Sequence, residues 1–308
     1  MKVLVTGGAG FIGSTLVKEW LRRGAEVTVI DNLRTGRIEN LEDVMDSITF
    51  IQKSICERDL VIDALEGIDY VFNLAAMVSV PESVENMCET VNINVNGLLN
   101  VLDGCVKHGI KKIVHSSSAA VYGKYPELPS KEIDLPKPLS PYAITKLDGE
   151  YYLNFYNSEF GLPTVSLRYF NVFGKGQRPD SAYAAAIPAI THRSLNNETI
   201  EIYGDGEQTR DFVYVMDVVN ANILAAEKGQ GLYNVARGES TSINQLVKII
   251  MELTNSSSPV VYKDVRAGDV KYSTAEVSKI KELGFVPETE IYDGLKNTVE
   301  YFKDCFTK

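Results

Sequence analysis

The 308-residue chain has few of the residues that mark a disulfide framework or a metal centre: four cysteines and three histidines. The cysteines lie far apart and form no CxxC pair: Cys56, Cys88, Cys105 and Cys305. That spacing argues against a zinc site and against disulfides, and it favours reduced thiols in an intracellular protein. We therefore expect no metal.

Positive charge and long apolar runs are also scarce. Lysine and arginine number 31 against 41 acidic residues, and the formal charge of −10 argues against a general nucleic-acid or membrane binder. No apolar run is long enough to cross a bilayer. The first residues, MKVLVTGG, reach glycine before the apolar core of a signal peptide could form. We expect a cytoplasmic protein in which an anionic ligand needs a local positive clamp.

The first half of the chain alternates short apolar runs with longer amphipathic ones, which predicts βαβ units and a parallel sheet. The predicted strands are Lys2–Thr6, Glu26–Asp31, Ile48–Gln52, Tyr70–Leu74, Lys112–Ser116 and Thr164–Tyr169. The predicted helices are Ile12–Arg23, Val91–His108, Tyr142–Phe160, Thr241–Thr254 and Tyr292–Lys303. After residue 172, loops rich in Gly, Pro and Asp break this rhythm. We predict an α/β protein with a doubly wound parallel sheet in residues 1–172 and a smaller α/β substrate domain in residues 173–308, with some chain crossover between them.

Glycines crowd the stretch LVTGGAGFIGS, residues 4–14. Gly7, Gly10 and Gly13 are spaced G-x-x-G-x-x-G between a predicted strand and a predicted helix. Glycine there permits a tight turn and close approach of a pyrophosphate to the free N–H groups of the helix N-terminus. The glycine triplet alone is weak evidence for a dinucleotide site, because glycines also occur in ordinary turns.

Asp31 strengthens this interpretation, since it ends the second predicted strand 18 residues beyond Gly13. A carboxylate there accepts from the hydroxyls of an adenosine ribose and repels a 2′-phosphate. The pattern predicts a Rossmann-type dinucleotide-binding domain and favours NAD over NADP. The alternative is that Asp31 only opens the turn DNLRTG.

A candidate for catalysis lies in SPYAITKLDGEYY, residues 140–152. Ser140 is a suitable N-cap, and Tyr142 and Lys146 fall on one helix face at i and i+4. An ammonium beside a phenol lowers the phenol pKa, which makes tyrosine a usable base near neutral pH. The Tyr-x-x-x-Lys spacing alone is weak evidence for catalysis, because Tyr292 and Lys296 have the same spacing. We interpret that second pair as part of a solvated helix face.

The stretch HSSSAAVYG, residues 115–123, distinguishes the first pair from the second. It places three serines at the carboxyl end of a predicted strand, where open parallel sheets bind their ligands. Loop packing is the alternative explanation for these serines.

Taken together, TGGAGFIG, Asp31, NLAA (73–76), SSSAAVYG, YAITK and RYFNVFG (168–174) resemble the extended short-chain dehydrogenase/reductase family. Within it the chain is most similar to nucleotide-sugar 4-epimerases of the UDP-glucose 4-epimerase type, from residue 1 to about 285. The resemblance implies an isomerase that takes a hydride from C4 of a UDP-sugar onto NAD, lets the 4-keto sugar turn over, and returns the hydride to its other face.

The resemblance also implies the roles of individual residues. Tyr142 would take the proton from the 4-OH, Lys146 would bind the nicotinamide ribose, and Ser118 would hydrogen-bond the reacting oxygen. The residues implied to bind NAD are Gly7, Gly10, Phe11, Ile12, Gly13, Asp31, Asn32, Ser54, Ile55, Leu74, Ala75, Ala76, Asn94, Ser116, Tyr142 and Lys146. Those implied to bind the substrate are Ser79, Ser117, Ser118, Tyr142, Asn171, Ala186, Ile187, Tyr203, Arg210, Arg266, Asp269 and Ser273.

Two positions bear on the substrate and the cofactor. Ser273 stands where some relatives narrow the hexose pocket with a tyrosine, and a small residue leaves room for a 2-acetamido group. With the segment 174–188, it favours UDP-GlcNAc and UDP-GalNAc, with UDP-Glc and UDP-Gal as further substrates. Ser54 departs from the family, which usually carries an aspartate there against the adenine amino group.

Rival functions on this fold stay open. Ala119 and Ala120 follow Ser118, where 4,6-dehydratases and decarboxylases carry carboxylates, so those two reactions are disfavoured. A net dehydrogenase acting on a small alcohol or amino acid would not need the phosphate clamp of Arg210 and Arg266. A non-catalytic dinucleotide sensor would not need the serine, tyrosine and lysine.

A homodimer is implied as well, since relatives dimerise through a four-helix bundle of the helices Val91–His108 and Tyr142–Phe160. Both carry wide apolar stripes here, for example at Tyr151, Tyr152, Phe155 and Tyr156. Burial of these side chains within the monomer is the alternative.

Overall fold

The computed structural model describes residues 1–124, 126–177, 186–265 and 270–306. Its strands are β1 (Lys2–Thr6), β2 (Glu26–Ile30), β3 (Ile48–Ile51), β4 (Tyr70–Asn73), β5 (Lys112–Ser118), β6 (Thr164–Tyr169), β7 (Asn171–Phe173), β8 (Ile200–Tyr203), β9 (Thr209–Arg210), β10 (Phe212–Tyr214), β11 (Gly231–Val235), β12 (Thr241–Ser242) and β13 (Val260–Lys263). Its helices are α1 (Phe11–Arg22), α2 (Arg58–Ala64), α3 (Val80–Glu85), α4 (Met87–Val91), α5 (Gly97–His108), α6 (Pro141–Phe160), α7 (Ala186–Leu195), α8 (Val215–Lys228), α9 (Ile243–Thr254), α10 (Ser278–Lys281) and α11 (Ile291–Phe306).

Seven parallel strands form the main sheet, in the order β11-β6-β5-β4-β1-β2-β3. The chain runs outward from β1 in one direction to β3 and then returns to β4 on the other side. This confirms the predicted doubly wound α/β fold. The strand order reverses between β1 and β4, and ligands bind such sheets in the crevice outside the carboxyl ends at that point.

Helices cover both faces of this sheet and build its two cores. On one face, α1 contributes Trp20, whose ring lies 5.6 Å from that of Phe72 on β4. On the other face, Leu98 and Leu102 of α5 are fully buried against the sheet, together with Leu153 of α6. Apolar residues on both faces explain why the strands read as continuous hydrophobic runs.

Most predicted elements form within a residue or two of their expected bounds, and the differences have local causes. Strand β5 is two residues longer than predicted, because Ser117 and Ser118 pair with the end of β6. The helix predicted from Val91 is preceded by α4 and passes through a π-helical segment at Asn92–Asn96. The helix predicted from Thr241 begins at α9, because the preceding residues form β12.

The chain crosses between regions after residue 172. Helix α8 packs against α1, and β11 extends the main sheet beside β6. A third core, which includes Phe173, Ile200, Phe212 and Leu246, holds α7, α9 and α11 together with the small strand pairs. The division at residue 172 itself stays a prediction. No helix in the described part of the chain combines the length and apolar character that a membrane span needs.

Candidate active site

The glycine stretch forms the turn from β1 into α1. Gly7 has φ +70°, and a Cβ there would lie 2.7 Å from the backbone nitrogen of Ala75. A Cβ on Gly13 would lie 2.1 Å from the carbonyl oxygen of Gly7, so this glycine lets the helix approach the strand closely. Gly10 is the N-cap of α1 and provides no side-chain cap. The first N–H groups of the helix therefore stay available to an anion.

A cavity of about 590 Å³ runs from this turn along the carboxyl edge of the sheet. Fifteen of the residues implied to bind NAD line it: Gly7, Gly10, Phe11, Ile12, Gly13, Asp31, Asn32, Ser54, Ile55, Leu74, Ala75, Ala76, Ser116, Tyr142 and Lys146. Asn94 is not among the lining residues. Its buried side chain instead accepts from the Met77 N–H at 2.7 Å and donates to Thr145 Oγ1 at 3.0 Å, which fixes the cavity wall.

Asp31 stands immediately after β2, and its carboxylate lines the cavity. One oxygen accepts from the Ala9 N–H at 2.9 Å and the other from the Leu33 N–H at 2.8 Å. Burial raises the pKa of this carboxyl, and the two backbone donors oppose the rise. Each oxygen keeps a further lone pair for a hydroxyl donor. The turn, the open helix N-terminus and this carboxylate together fit the pyrophosphate and ribose of NAD.

Ser54, which departs from the family pattern, also lines the cavity. Its hydroxyl accepts from the Cys56 N–H at 3.2 Å. The oxygen therefore has one backbone donor and retains a second lone pair.

The serine, tyrosine and lysine of the catalytic prediction converge on the other end of the cavity. Ser118 ends β5, and Tyr142 and Lys146 lie in the first two turns of α6, which starts where expected because the Ser140 hydroxyl accepts from the Ala143 N–H at 3.2 Å. The Ser118 side chain is hydrogen-bonded to Tyr142. Lys146 Nζ donates to the Ser116 carbonyl oxygen at 2.7 Å and lies 5.9 Å from the centroid of the Tyr142 ring.

The pKa shifts differ from the prediction for Tyr142. Burial raises the pKa of its phenol, and the hydrogen bond to Ser118 offsets this rise only in part. Burial also lowers the pKa of Lys146 to about 8. The predicted lowering of the phenol pKa by Lys146 is therefore wrong for the protein alone, because desolvation outweighs an ammonium that is directed at the Ser116 carbonyl.

A buried ion pair between Glu150 and Arg168 contacts Ser117 next to the predicted catalytic serine. It was not identified from the sequence. The Ser117 hydroxyl donates to Glu150 Oε1 at 2.5 Å, and Arg168 binds both oxygens of Glu150 at 2.8 and 2.7 Å. The guanidinium of Arg168 lies 4.7 Å from the ring centroid of Tyr122. Glu150 follows Lys146 by one helical turn, which is the signal that could have indicated it. Although Ser117 lines the cavity, its hydroxyl is engaged with Glu150.

The residues implied to bind substrate fall into three groups. Ser79, Ser117, Ser118 and Tyr142 line the cavity, whereas Asn171, Ala186, Ile187, Tyr203, Arg210 and Ser273 do not. Arg266 and Asp269 lie outside the described residues. Ile187 is 2% exposed and belongs to the third core, so its side chain is not presented to a ligand.

Asp211, next to Arg210, joins three segments near the predicted nucleotide site. Its fully buried carboxylate accepts from the N–H groups of Arg237 at 2.9 Å, Gly238 at 3.1 Å and Ala275 at 3.1 Å. Burial raises its pKa to about 6 against these donors. The contacts hold the strand of Arg210 beside the segment that carries Ser273.

A glycine turn at the switch point of a doubly wound sheet, with an acidic residue after the second strand, is the architecture of dinucleotide-binding enzymes. Comparison with known proteins narrows this class. The model of the NAD dependent epimerase/dehydratase family matches residues 3–236. The putative UDP-glucose 4-epimerase of Methanocaldococcus jannaschii is 37% identical over 98% of both chains.

Two solved structures superpose over nearly the whole chain. The UDP-glucose 4-epimerase of Thermotoga maritima, determined with UDP-glucose, has a TM-score of 0.95 at 41% identity and covers 99% of this chain and 100% of its own. The UDP-N-acetylglucosamine 4-epimerase of Methanobrevibacter ruminantium, in complex with UDP-N-acetylmuramic acid, has a TM-score of 0.95 at 43% identity and covers 99% and 98%. The chain belongs to the NAD dependent epimerase/dehydratase family. These matches confirm the predicted resemblance to 4-epimerases and its consequences, an isomerase with NAD as cofactor.

Proposed function

We propose that this protein is a UDP-sugar 4-epimerase that interconverts UDP-GlcNAc and UDP-GalNAc and also accepts UDP-Glc and UDP-Gal. The proposal rests on the site residues described above and on relatives whose names specify UDP-sugars. UDP-sugar is thus the proposed partner, and the four free cysteines agree with the cytoplasm as the proposed compartment.

NAD, when bound, accepts a hydride from C4 and gives it back. The side chains of the site transfer the proton. Tyr142 takes it from the 4-OH and returns it after the sugar turns, while Ser118 orients the reacting oxygen through its own hydrogen bond. Lys146 binds the nicotinamide ribose and adds positive charge beside the phenol. Positive charge close to the ring favours the phenolate and so counters the desolvation that raises the pKa of Tyr142.

The choice of epimerisation rests on one observation: each carboxylate in the described part of the site is already held by backbone N–H groups or by an arginine. Among the described lining residues they are Asp31, bound by backbone N–H groups, and Glu82, paired with Arg34. Glu150, behind Ser117, is held by Arg168. Dehydration and decarboxylation on this scaffold need an acid beside the reacting carbon, and epimerisation does not.

The preference for an N-acetylated sugar rests on Ser273. It is half-buried, and the Asp211 carboxylate accepts from the N–H of Ala275, two residues on, which anchors the backbone of this segment. We expect Ser273→Tyr to reduce kcat/KM for UDP-GlcNAc more than tenfold while changing that for UDP-Glc by about threefold or less, which is the size of effect that pocket volume produces.

The test of the function incubates the purified protein with NAD and either UDP-GlcNAc or UDP-Glc, separates the sugar nucleotides and follows NADH absorbance. A 4-epimer without net NADH supports the proposal. NADH formed in step with an oxidised product would identify a net dehydrogenase. Tyr142→Phe should abolish turnover, and Tyr292→Phe, at the other Y-x-x-x-K match, should leave it unchanged.

We propose in addition a homodimer through a four-helix bundle. Tyr151 is 61% exposed and Phe155 51% exposed, so the monomer leaves this part of α6 uncovered, whereas Tyr156 is buried and donates to Asp103 at 2.5 Å. A second copy of the same face would cover these rings. Light scattering should give twice the 34.1 kDa chain mass, and Tyr151→Glu/Phe155→Glu should give the monomer.

A further inference from the structure

An ion-pair network joins the two walls of the cavity at a place that no step of the reaction uses. Arg34 lies in the loop after β2, Glu82 on α3 and Glu89 on α4. Arg34 Nη2 is 3.0 Å from Glu82 Oε1 and 3.2 Å from Glu89 Oε2, and Nη1 donates to Glu89 Oε1. Arg34 and Glu82 both line the cavity. The network therefore links chain segments 48 and 55 residues apart at the lining of the cavity.

The loop that presents Arg34 is held in a strained conformation. Leu33 has φ +59°, a left-handed conformation that is unfavourable for a residue with a side chain. Asp31 Oδ1 accepts from the Leu33 N–H at 2.8 Å, and Asn32 Oδ1 accepts from the Arg34 N–H at 3.0 Å. The carboxylate that fits the ribose thus also fixes the residue that carries the guanidinium. Such strain persists only where surrounding contacts determine it.

We propose that Arg34, Glu82 and Glu89 form an ionic strap that closes over the bound NAD and slows its release. Either wall must move for the dinucleotide to leave, and movement separates the guanidinium from two carboxylates. Because the cofactor is regenerated in every cycle, a slow release keeps the enzyme loaded. The proposal does not depend on which sugar is the substrate.

The strap is exposed to solvent in part, with 35% of the Arg34 side chain, 28% of Glu82 and 45% of Glu89 accessible. Exposed pairs contribute modestly and are screened by salt. Two such pairs on one arginine would change a dissociation rate by about tenfold.

The purified protein, in the oligomeric state in which it is isolated, is loaded with NADH in the absence of sugar. Excess NAD is then added, and the fall in NADH fluorescence gives the release rate. Arg34→Gln and Glu82→Gln/Glu89→Gln should each speed release about tenfold, and the triple variant should be no faster than either. Arg58→Gln is the matched control, since it breaks the 2.6 Å pair of Arg58 with Asp103 outside the cavity lining. It should release NADH at the wild-type rate.

A second measurement needs no variant. Release from the wild type should accelerate as NaCl rises from low to high concentration, and the triple variant should lose most of that dependence. If Arg34→Gln accelerates NADH release and Glu82→Gln/Glu89→Gln does not, Arg34 contacts the cofactor directly. That result would overturn the proposed strap. Unchanged release in both variants, additive effects, or a salt-independent wild-type rate would overturn it as well. Unfolding temperatures identify any variant whose release reflects a damaged fold.

Discussion

The buried pair of Glu150 and Arg168 offers a direct test of how the catalytic strand and helix are held together. Only 8% of the Glu150 side chain and 2% of the Arg168 side chain are exposed. Glu150→Gln would leave a buried guanidinium without its counter-ion. Arg168→Met would leave a buried carboxylate that still accepts from the Ser117 hydroxyl.

The expected cost of either single change follows from this burial. Removal of one partner of a buried pair destabilises a protein by about 3–5 kcal/mol, because an uncompensated charge remains. For a chain of this size that corresponds to a fall in Tm of roughly 5–8 °C. Arg168→Met/Glu150→Gln removes both charges and keeps an acceptor for Ser117, so it should be less damaging than the sum of the two single changes by about 2 kcal/mol or more.

Thermal unfolding at one scan rate, with and without NAD, measures these changes. The exposed pair of Arg58 and Asp103 supplies the comparison, and Arg58→Gln should lower Tm much less than either single change in the buried pair. The reasoning is refuted if Glu150→Gln and Arg58→Gln are equally mild, or if the double variant loses as much as both single variants added together.

Three further results are expected. Gly13→Ala should weaken NAD binding by about 5–100-fold in a titration of NADH fluorescence, because its Cβ meets the Gly7 carbonyl oxygen at 2.1 Å. Since burial lowers the pKa of Lys146 to about 8 from 10.5, the unfolded chain binds more protons between those pH values. Urea unfolding should therefore show wild-type stability rising relative to Lys146→Met from pH 8 toward 10.5, by up to about 3 kcal/mol; a flat difference would contradict the shift. Asp211→Asn keeps the shape but loses an acceptor oxygen for three backbone donors, so KM for the UDP-sugar should rise about tenfold or more while NADH affinity stays at the wild-type value.

The parts of the site that depend on neighbours in sequence could be predicted from the sequence. The turn through Gly7, Gly10 and Gly13 needs only a strand, a helix and the contacts between them. The N-cap at Ser140 is equally local, because its hydroxyl reaches an N–H three residues on. Periodicity is a local property too, which is why the main strands appear within a residue or two of their expected ends.

Contacts between distant segments were beyond sequence reasoning. Glu150 was identified as part of a helix, but only the fold brings it against Ser117 on β5 and Arg168 on β6. Strand β11 was not predicted, since its place beside β6 follows from the return of the chain after residue 214. Asn94 was assigned to the cofactor, whereas its hydrogen bonds go to the backbone of Met77 and to Thr145.

The case of Tyr142 shows why proximity on one helix face does not determine a pKa. The i, i+4 spacing correctly places Lys146 on the same side, yet the ammonium is 5.9 Å from the ring centroid and donates to the Ser116 carbonyl. Desolvation acts on both groups at once: it raises the pKa of the phenol above its usual 10.0 and lowers that of the amine from 10.5 to about 8, so the two values move apart. The phenol therefore keeps its proton beside the amine, and an added positive charge is needed to favour the phenolate. The protein alone therefore stores a neutral, buried tyrosine, and the oxidised, positively charged nicotinamide is what should convert it into a base.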